Sequence, residues 1–92
     1  MLSVILEIPG VTSIKDKRRE VHSLRDRIIR KFHISAAEVD LLSSLSFSQL
    51  GCAVVSNSKI HGERVMQRVL QFVEDEISGR VHDAEIHSEL YP

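Results

Sequence analysis

The sequence has no tryptophan and only one cysteine, Cys52, which excludes an internal disulfide and any CxxC redox or zinc motif. Its aromatic residues are few, namely Phe32, Phe47, Phe72 and Tyr91, and neither of the aromatic motifs that RNA-recognition domains stack bases on is present. No apolar run approaches the ~20 residues that cross a bilayer. Met1 leads directly into strand-like sequence without a basic leader or cleavage site, so neither export nor insertion is expected and a cytoplasmic location is the expectation. The histidines do not form a metal pattern: His82 and His87 are five apart on one strand and should face opposite sides, while His22, His33 and His61 fall on separate elements. Glu7, Glu85 and His87, on strands expected to be adjacent, are the nearest thing to a ligand set. No metal or other cofactor is expected.

What is there is a chain of 92 residues, 42% apolar and 27% charged, enough for one core and far from the composition of disorder. A single domain over residues 1–92 is expected. The formal net charge of -1 hides a separation along the chain. From Lys15 to Lys31 the bases Lys15, Lys17, Arg18, Arg19, Arg25, Arg27, Arg30 and Lys31 face only Asp16, Glu20 and Asp26. The acids dominate the remainder, and such separation says more about partners than the total does.

Leu2 to Ile8 is an apolar run closed by Pro9-Gly10, as in a largely buried strand. Val21, Leu24, Ile28 and Phe32 then recur at helical spacing, with Ser13 as N-cap and Asp16 in the capping-box position. Partial alternation over Ile34–Leu42 suits an edge strand. The Ser-rich Leu45–Gln49 reads as irregular, and Leu50–Ser56 as a short apolar strand. Asn57 or Ser58 caps a second helix with the stripe Val65, Met66, Val69, Leu70, Phe72, Val73 and Ile77, ending before Gly79. Val81–Leu90 alternates as a last strand.

The order strand, helix, strand, strand, helix, strand predicts an α/β two-layer sandwich. Two amphipathic helices must bury their stripes on one face of a four-stranded antiparallel sheet, and right-handed crossovers leave the ferredoxin-like βαββαβ arrangement, strand order 4-1-3-2. Alternation then predicts an open sheet face carrying Ser3, Ile5, Glu7, Glu38, Asp40, Asp83, Glu85, His87 and Glu89, predominantly acidic. Ile5 and Val54 are expected to form an apolar centre on it.

The sharpest local feature is the basic first turn of the first helix. Cations at a helix N-terminus are mildly unfavourable for stability. Free N–H groups there, the Thr12 and Ser13 hydroxyls and the cations Lys15, Lys17, Arg18 and Arg19 suit a phosphate. With Arg25 and Arg30 they extend along about four helical turns, enough to follow a phosphate backbone with salt-sensitive affinity. The bland account is a solvated face partly neutralised by Asp16 and Glu20. Cys52 on an apolar strand reads as a small buried hydrophobe, since no base is fixed beside it. Asp83 and Glu85 read as surface carboxylates, and no catalytic constellation is found.

The stretch Ser13-Ile14-Lys15-Asp16-Lys17-Arg18, followed by Ser23-Leu24, Arg27, Phe32-His33-Ile34-Ser35, Ala37-Glu38-Val39, Leu50-Gly51 and Val55-Ser56, resembles the YlxP-like family of small bacterial proteins over nearly the whole chain. The resemblance implies a ferredoxin-like fold and a family with no established activity, whose genes often lie among translation and ribosome-maturation factors. This chain departs from the family's pattern between the second and third strands. Relatives tend to carry Trp-Gln-Arg there, whereas Leu41–Gln49 retains only Gln49 and an echo in Phe47, so neither stacking nor cation contact is expected from that hairpin.

The leading functional expectation is contact with structured RNA or a ribosomal particle through Lys15, Lys17, Arg18, Arg19, Arg25 and Arg30. The alternative is a non-catalytic interaction or homodimerisation module that uses the open sheet face and its two edge strands. An enzyme ranks third.

Overall fold

The computed structural model describes residues 1–77 and 79–88. Its elements run β1 (Leu2–Glu7), α1 (Ile14–Phe32), β2 (Ser35–Asp40), β3 (Phe47–Ala53), α2 (Lys59–Glu76) and β4 (Arg80–Ile86). The strands form one antiparallel sheet in the order β2-β3-β1-β4, the expected 4-1-3-2 arrangement. Both helices cover one face. Leu2, Val4, Leu6 and Ile8 from β1 and its continuation meet Leu50 and Cys52 of β3, Val21, Leu24 and Ile28 of α1, and Met66, Val69 and Val73 of α2. Burying each of these side chains contributes roughly 1.5–3 kcal/mol, which is why the two period-3.6 stripes and the period-2 strands settle face to face.

The caps set the helix ends. Ser13, in extended backbone, accepts from the Asp16 amide at 3.1 Å, and Ser58 does the same for His61 at 3.3 Å, so Ser58 rather than Asn57 is the cap. α1 closes at His33, whose φ of 54° is left-handed and whose amide reaches back to the Ile29 carbonyl at 2.9 Å. α2 closes on Ile77 in extended backbone. Gly79 is needed for a different reason than helix termination: a β-carbon there would collide with the Glu7 carbonyl and press on Pro9.

Several expected boundaries shift. β3 begins at Phe47 rather than Leu50 and ends at Ala53 rather than Ser56, because polar Ser48 is buried within the alternation and breaks the apolar run without breaking the strand. Val54 lies past the end of β3 and packs against the core, so it contributes nothing to an apolar centre on the open face. β4 ends at Ile86. Glu89 and Leu90, expected on opposite faces of that strand, lie outside the described residues, as does Tyr91.

The open face is less acidic than alternation suggests. Glu38 lies on the helix side of β2, paired in register with buried Leu50, with its side chain only 3% exposed. The open face instead takes Ile5 near its middle, Phe47 at the start of β3, and Ala37 and Val39 on the β2 edge, with Val39 54% exposed. Acids remain at Asp83 and Glu85 along the β4 margin and at Asp40 on the β2 edge, opposite Gln49, while Glu7 pairs with Arg80 at 3.1 Å. A bulge in the β1–β4 ladder between Ile5 and Leu6 adds His82 to β4 and turns its ring to within 5.5 Å of Phe47. That extra residue changes the parity, so His82 and His87 share the open face rather than opposing one another.

Candidate nucleic-acid interface

A 19-residue helix turns 100° per residue, which sorts the charges of α1 onto distinct faces. Val21, Leu24 and Ile28 point to the sheet. Arg27 leans towards α2, where it binds Glu76 at 2.7 Å. Lys15, Arg18, Arg19, Arg25 and Arg30 fall within about 140° of one another on the solvent side, with His22 among them and Asp26 as the one carboxylate in that arc. Lys15, Arg18, Arg19 and Arg30 are exposed and have no carboxylate within 4.0 Å among the described residues. Arg25 holds Asp26 at 2.9 Å. This pair is partly exposed and side by side, worth less than about 1 kcal/mol, so Arg25 remains able to change partners.

Lys17 corrects the expectation. Far from joining the exposed cations, it is completely buried, one position round the helix on the sheet side. Its ammonium donates to the carbonyls of Leu41 at 2.6 Å and Phe47 at 3.0 Å, with Leu42 at 3.4 Å, and stands 3.5 Å from Glu38 Oε2. Glu38 Oε2 also accepts from Ser48 Oγ at 2.7 Å. Lys17 therefore ties the first turn of α1 to the β2–β3 loop, including Leu41, whose φ of 61° is unusual for a branched apolar residue. No phosphate can reach it. The sequence signal was present in the register: Lys17 precedes Val21, Leu24 and Ile28 at the spacing i, i+4, i+7, i+11 and so belongs to the buried stripe.

The two hydroxyls of the expected anion cradle are also engaged within the chain. Thr12 Oγ1 donates to Asp16 Oδ2 at 3.2 Å while Ser13 Oγ caps the Asp16 amide. Both hydroxyls are thus spent on Asp16, so Thr12 and Ser13 serve the cap. The surface that remains is a stripe of guanidinium and ammonium groups on the outward side of α1, rather than a pocket at its start.

Elsewhere the expected chemistry is not assembled. Glu85 meets His87 at 3.0 Å, but Glu7 is four ladder steps away, roughly 13 Å, and is held by Arg80. Among the described residues no group of three or more histidine, cysteine or acidic side chains is placed to hold a metal. No helix there is long and apolar enough to cross a membrane. Burial pushes the Cys52 thiol up to about 11. With its thiolate so disfavoured, Cys52 is expected to resist a soluble disulfide reagent at pH 8 in the native protein and to react at least about 100-fold faster in 6 M urea. Equal rates in the two conditions would contradict its burial.

The strand order, the two helices on one face and the basic outer surface of the first helix define the chain as a small ferredoxin-like α+β protein. Residues 1–86 match the family described as "Protein of unknown function (DUF503)", and the chain belongs to that family. It is similar to "Uncharacterized protein YlxP" of Bacillus subtilis (strain 168), with 32% identity over 62 residues covering 67% of each chain.

Proposed function

We propose that the protein binds the phosphate backbone of structured RNA through the solvent face of α1. The observation that carries this reading is the sorting of five bases, Lys15, Arg18, Arg19, Arg25 and Arg30, onto one arc against Asp26 alone, while Lys17 and Arg27 are engaged elsewhere. Helical rise spreads Lys15 to Arg30 over roughly 22 Å, a length suited to several successive phosphates rather than to one small anion. The open sheet face, with Phe47 and His82 as its only aromatic rings among the described residues, gives no stacking platform, so backbone contact rather than base reading is the mode. Gene neighbourhoods implied by the family resemblance favour RNA over DNA.

The test is affinity for a fluorescent RNA duplex as a function of salt. Five phosphate contacts at about 0.9 counterions each predict log K falling against log salt with a slope of roughly -4.5, and at least about -3 in magnitude. A slope near zero, or no binding at low salt, would remove the proposal.

A homodimer through the open face has less to support it. Ile5, Ala37, Val39 and Phe47 supply apolar surface. However, four strands of six or seven residues offer roughly 400 Å², about half of what each partner buries in a standard interface.

A further inference from the structure

We infer that the basic track does not stop at the end of α1 but crosses onto α2 through Lys31, Arg68 and Arg64, so that the partner is an extended double-helical RNA rather than a short loop or single nucleotide. This rests on the RNA-binding reading above and specifies the form of its ligand. The sequence conceals the continuation, because outside Lys15–Lys31 acids outnumber bases and α2 by itself looks balanced.

Two contacts fix how the helices run. Arg27 binds Glu76 at 2.7 Å, and five residues later in α1 the Phe32 ring meets Phe72 edge-on with centroids 5.6 Å apart. Rising along α1 is therefore falling along α2, and the helices are antiparallel. Residues of α2 before Phe72 must extend past the C-terminal end of α1. Arg68 is one turn beyond Phe72 and Arg64 one turn further, both exposed and both turned away from Met66, Val69 and Val73, which face the core.

Lys31 follows Arg30 but lies about 100° further round α1, outside the solvent arc and on the side towards α2, and so links the two helices at their junction. Its ammonium stands 5.1 Å from the Phe72 ring centroid and 6.0 Å from that of Phe32, a placement over aromatic faces that holds the charge at the helix junction while leaving it exposed. Of the four acids of α2, Glu74 and Asp75 are exposed, and Asp75 shares the outward face of Arg64 and Arg68 but lies on the other side of Phe72, alongside α1. Glu76 is taken by Arg27, Asp75 accepts from Gln71 at 3.0 Å, and Glu63 is turned towards β4, accepting from Ser88 at 3.2 Å. Among the described residues, neither Arg64 nor Arg68 has a carboxylate within 4.0 Å.

Lys15 to Lys31 spans roughly 24 Å and Phe72 to Arg64 a further 12 Å, at about 1.5 Å per residue. The resulting track of roughly 36 Å fits within the 46 Å long dimension of the molecule. It corresponds to about ten or more base-pair steps at up to about 3.4 Å each. A rigid duplex presents phosphates continuously over that length, whereas a short loop reaches only part of it. Shape and phosphate spacing, not base identity, would then select the ligand.

The deciding experiment compares RNA duplexes of about 6 and about 20 base pairs, for the parent chain, R64Q/R68Q and K15E/R18E/R19E, at about 0.1 M salt. Loss of two phosphate contacts predicts that R64Q/R68Q binds the long duplex at least about tenfold more weakly, with a salt slope shallower by nearly 2. It should bind the short duplex within about twofold of the parent. Parent-like binding of both duplexes by R64Q/R68Q, with loss only in K15E/R18E/R19E, overturns the extension and leaves the α1 site standing. Equal weakening on both lengths also overturns it, since the α2 residues would then not act at a distance. Parent-like binding by all three proteins would remove the α1 site together with its extension, and preference for phosphatidylserine vesicles over either duplex would do the same. Thermal melting checks that each variant is folded.

Discussion

Replacing Lys17 with alanine is expected to destabilise the protein by about 3–5 kcal/mol, the usual cost of orphaning one partner of a buried charged pair. The change leaves the Glu38 carboxylate, 3% exposed, without its counter-charge, and strips the Leu41 and Phe47 carbonyls of their ammonium donor. Small domains hold only about 5–15 kcal/mol in total, and each kcal/mol is worth about 4–8 °C in a domain of this size, so Tm should fall by at least about 12 °C. The partner supplies the control. Glu38→Gln alone keeps the hydrogen bond to Ser48 and should cost less, and in the Lys17→Ala background it should cost nothing or restore stability, because the orphaned charge is gone. Urea denaturation of the four proteins in this cycle should give a coupling of about 1–3 kcal/mol. A loss below about 1 kcal/mol for Lys17→Ala, or additive effects, would mean that water reaches the pair and that the loop does not depend on it.

Periodicity made most of the fold legible. The stripe Val21, Leu24, Ile28 and the stripe Met66, Val69, Val73 both face the core, and the caps at Ser13 and Ser58 are where side-chain oxygen was expected. Charge is less legible than hydrophobicity, because alternation assigns a charged residue to water by default. Glu38 and Lys17 each violate that default, and each is tolerated because the other is there. Neither is interpretable alone, since they are separated by 21 positions and meet only once α1 packs on β2. The β4 bulge is similarly invisible in sequence: one inserted residue moves His82 to the face of Phe47. Of the eight residues that the sequence points to as an anion site, Lys15, Arg18, Arg19, Arg25 and Arg30 share an outward arc. Thr12 and Ser13 belong to the cap and Lys17 to the interior. Arg64 and Arg68 are not legible in the sequence, because local charge counts along the chain cannot show that an antiparallel helix brings its basic half to the end of another.

The triple replacement K15E/R18E/R19E is expected to weaken binding to a long RNA duplex by a few hundredfold at about 0.1 M salt, since three lost contacts remove about 0.9 log units each. The expected salt slope falls by close to 3 at the same time. Stability should move the other way or not at all. The three side chains are exposed and have no carboxylate partner within 4.0 Å among the described residues, and an acid at position 15, in the first turn of the helix, suits its dipole better than a base does. Lys17 stands between these residues in sequence and gives the reverse outcome, with folding lost through a residue no phosphate touches. Including it in a charge-reversal set would abolish binding for the wrong reason, because the β2–β3 loop would lose the ammonium that holds its carbonyls. Binding by the triple variant within about threefold of the parent would show that these cations are a solvated face without a polyanion partner.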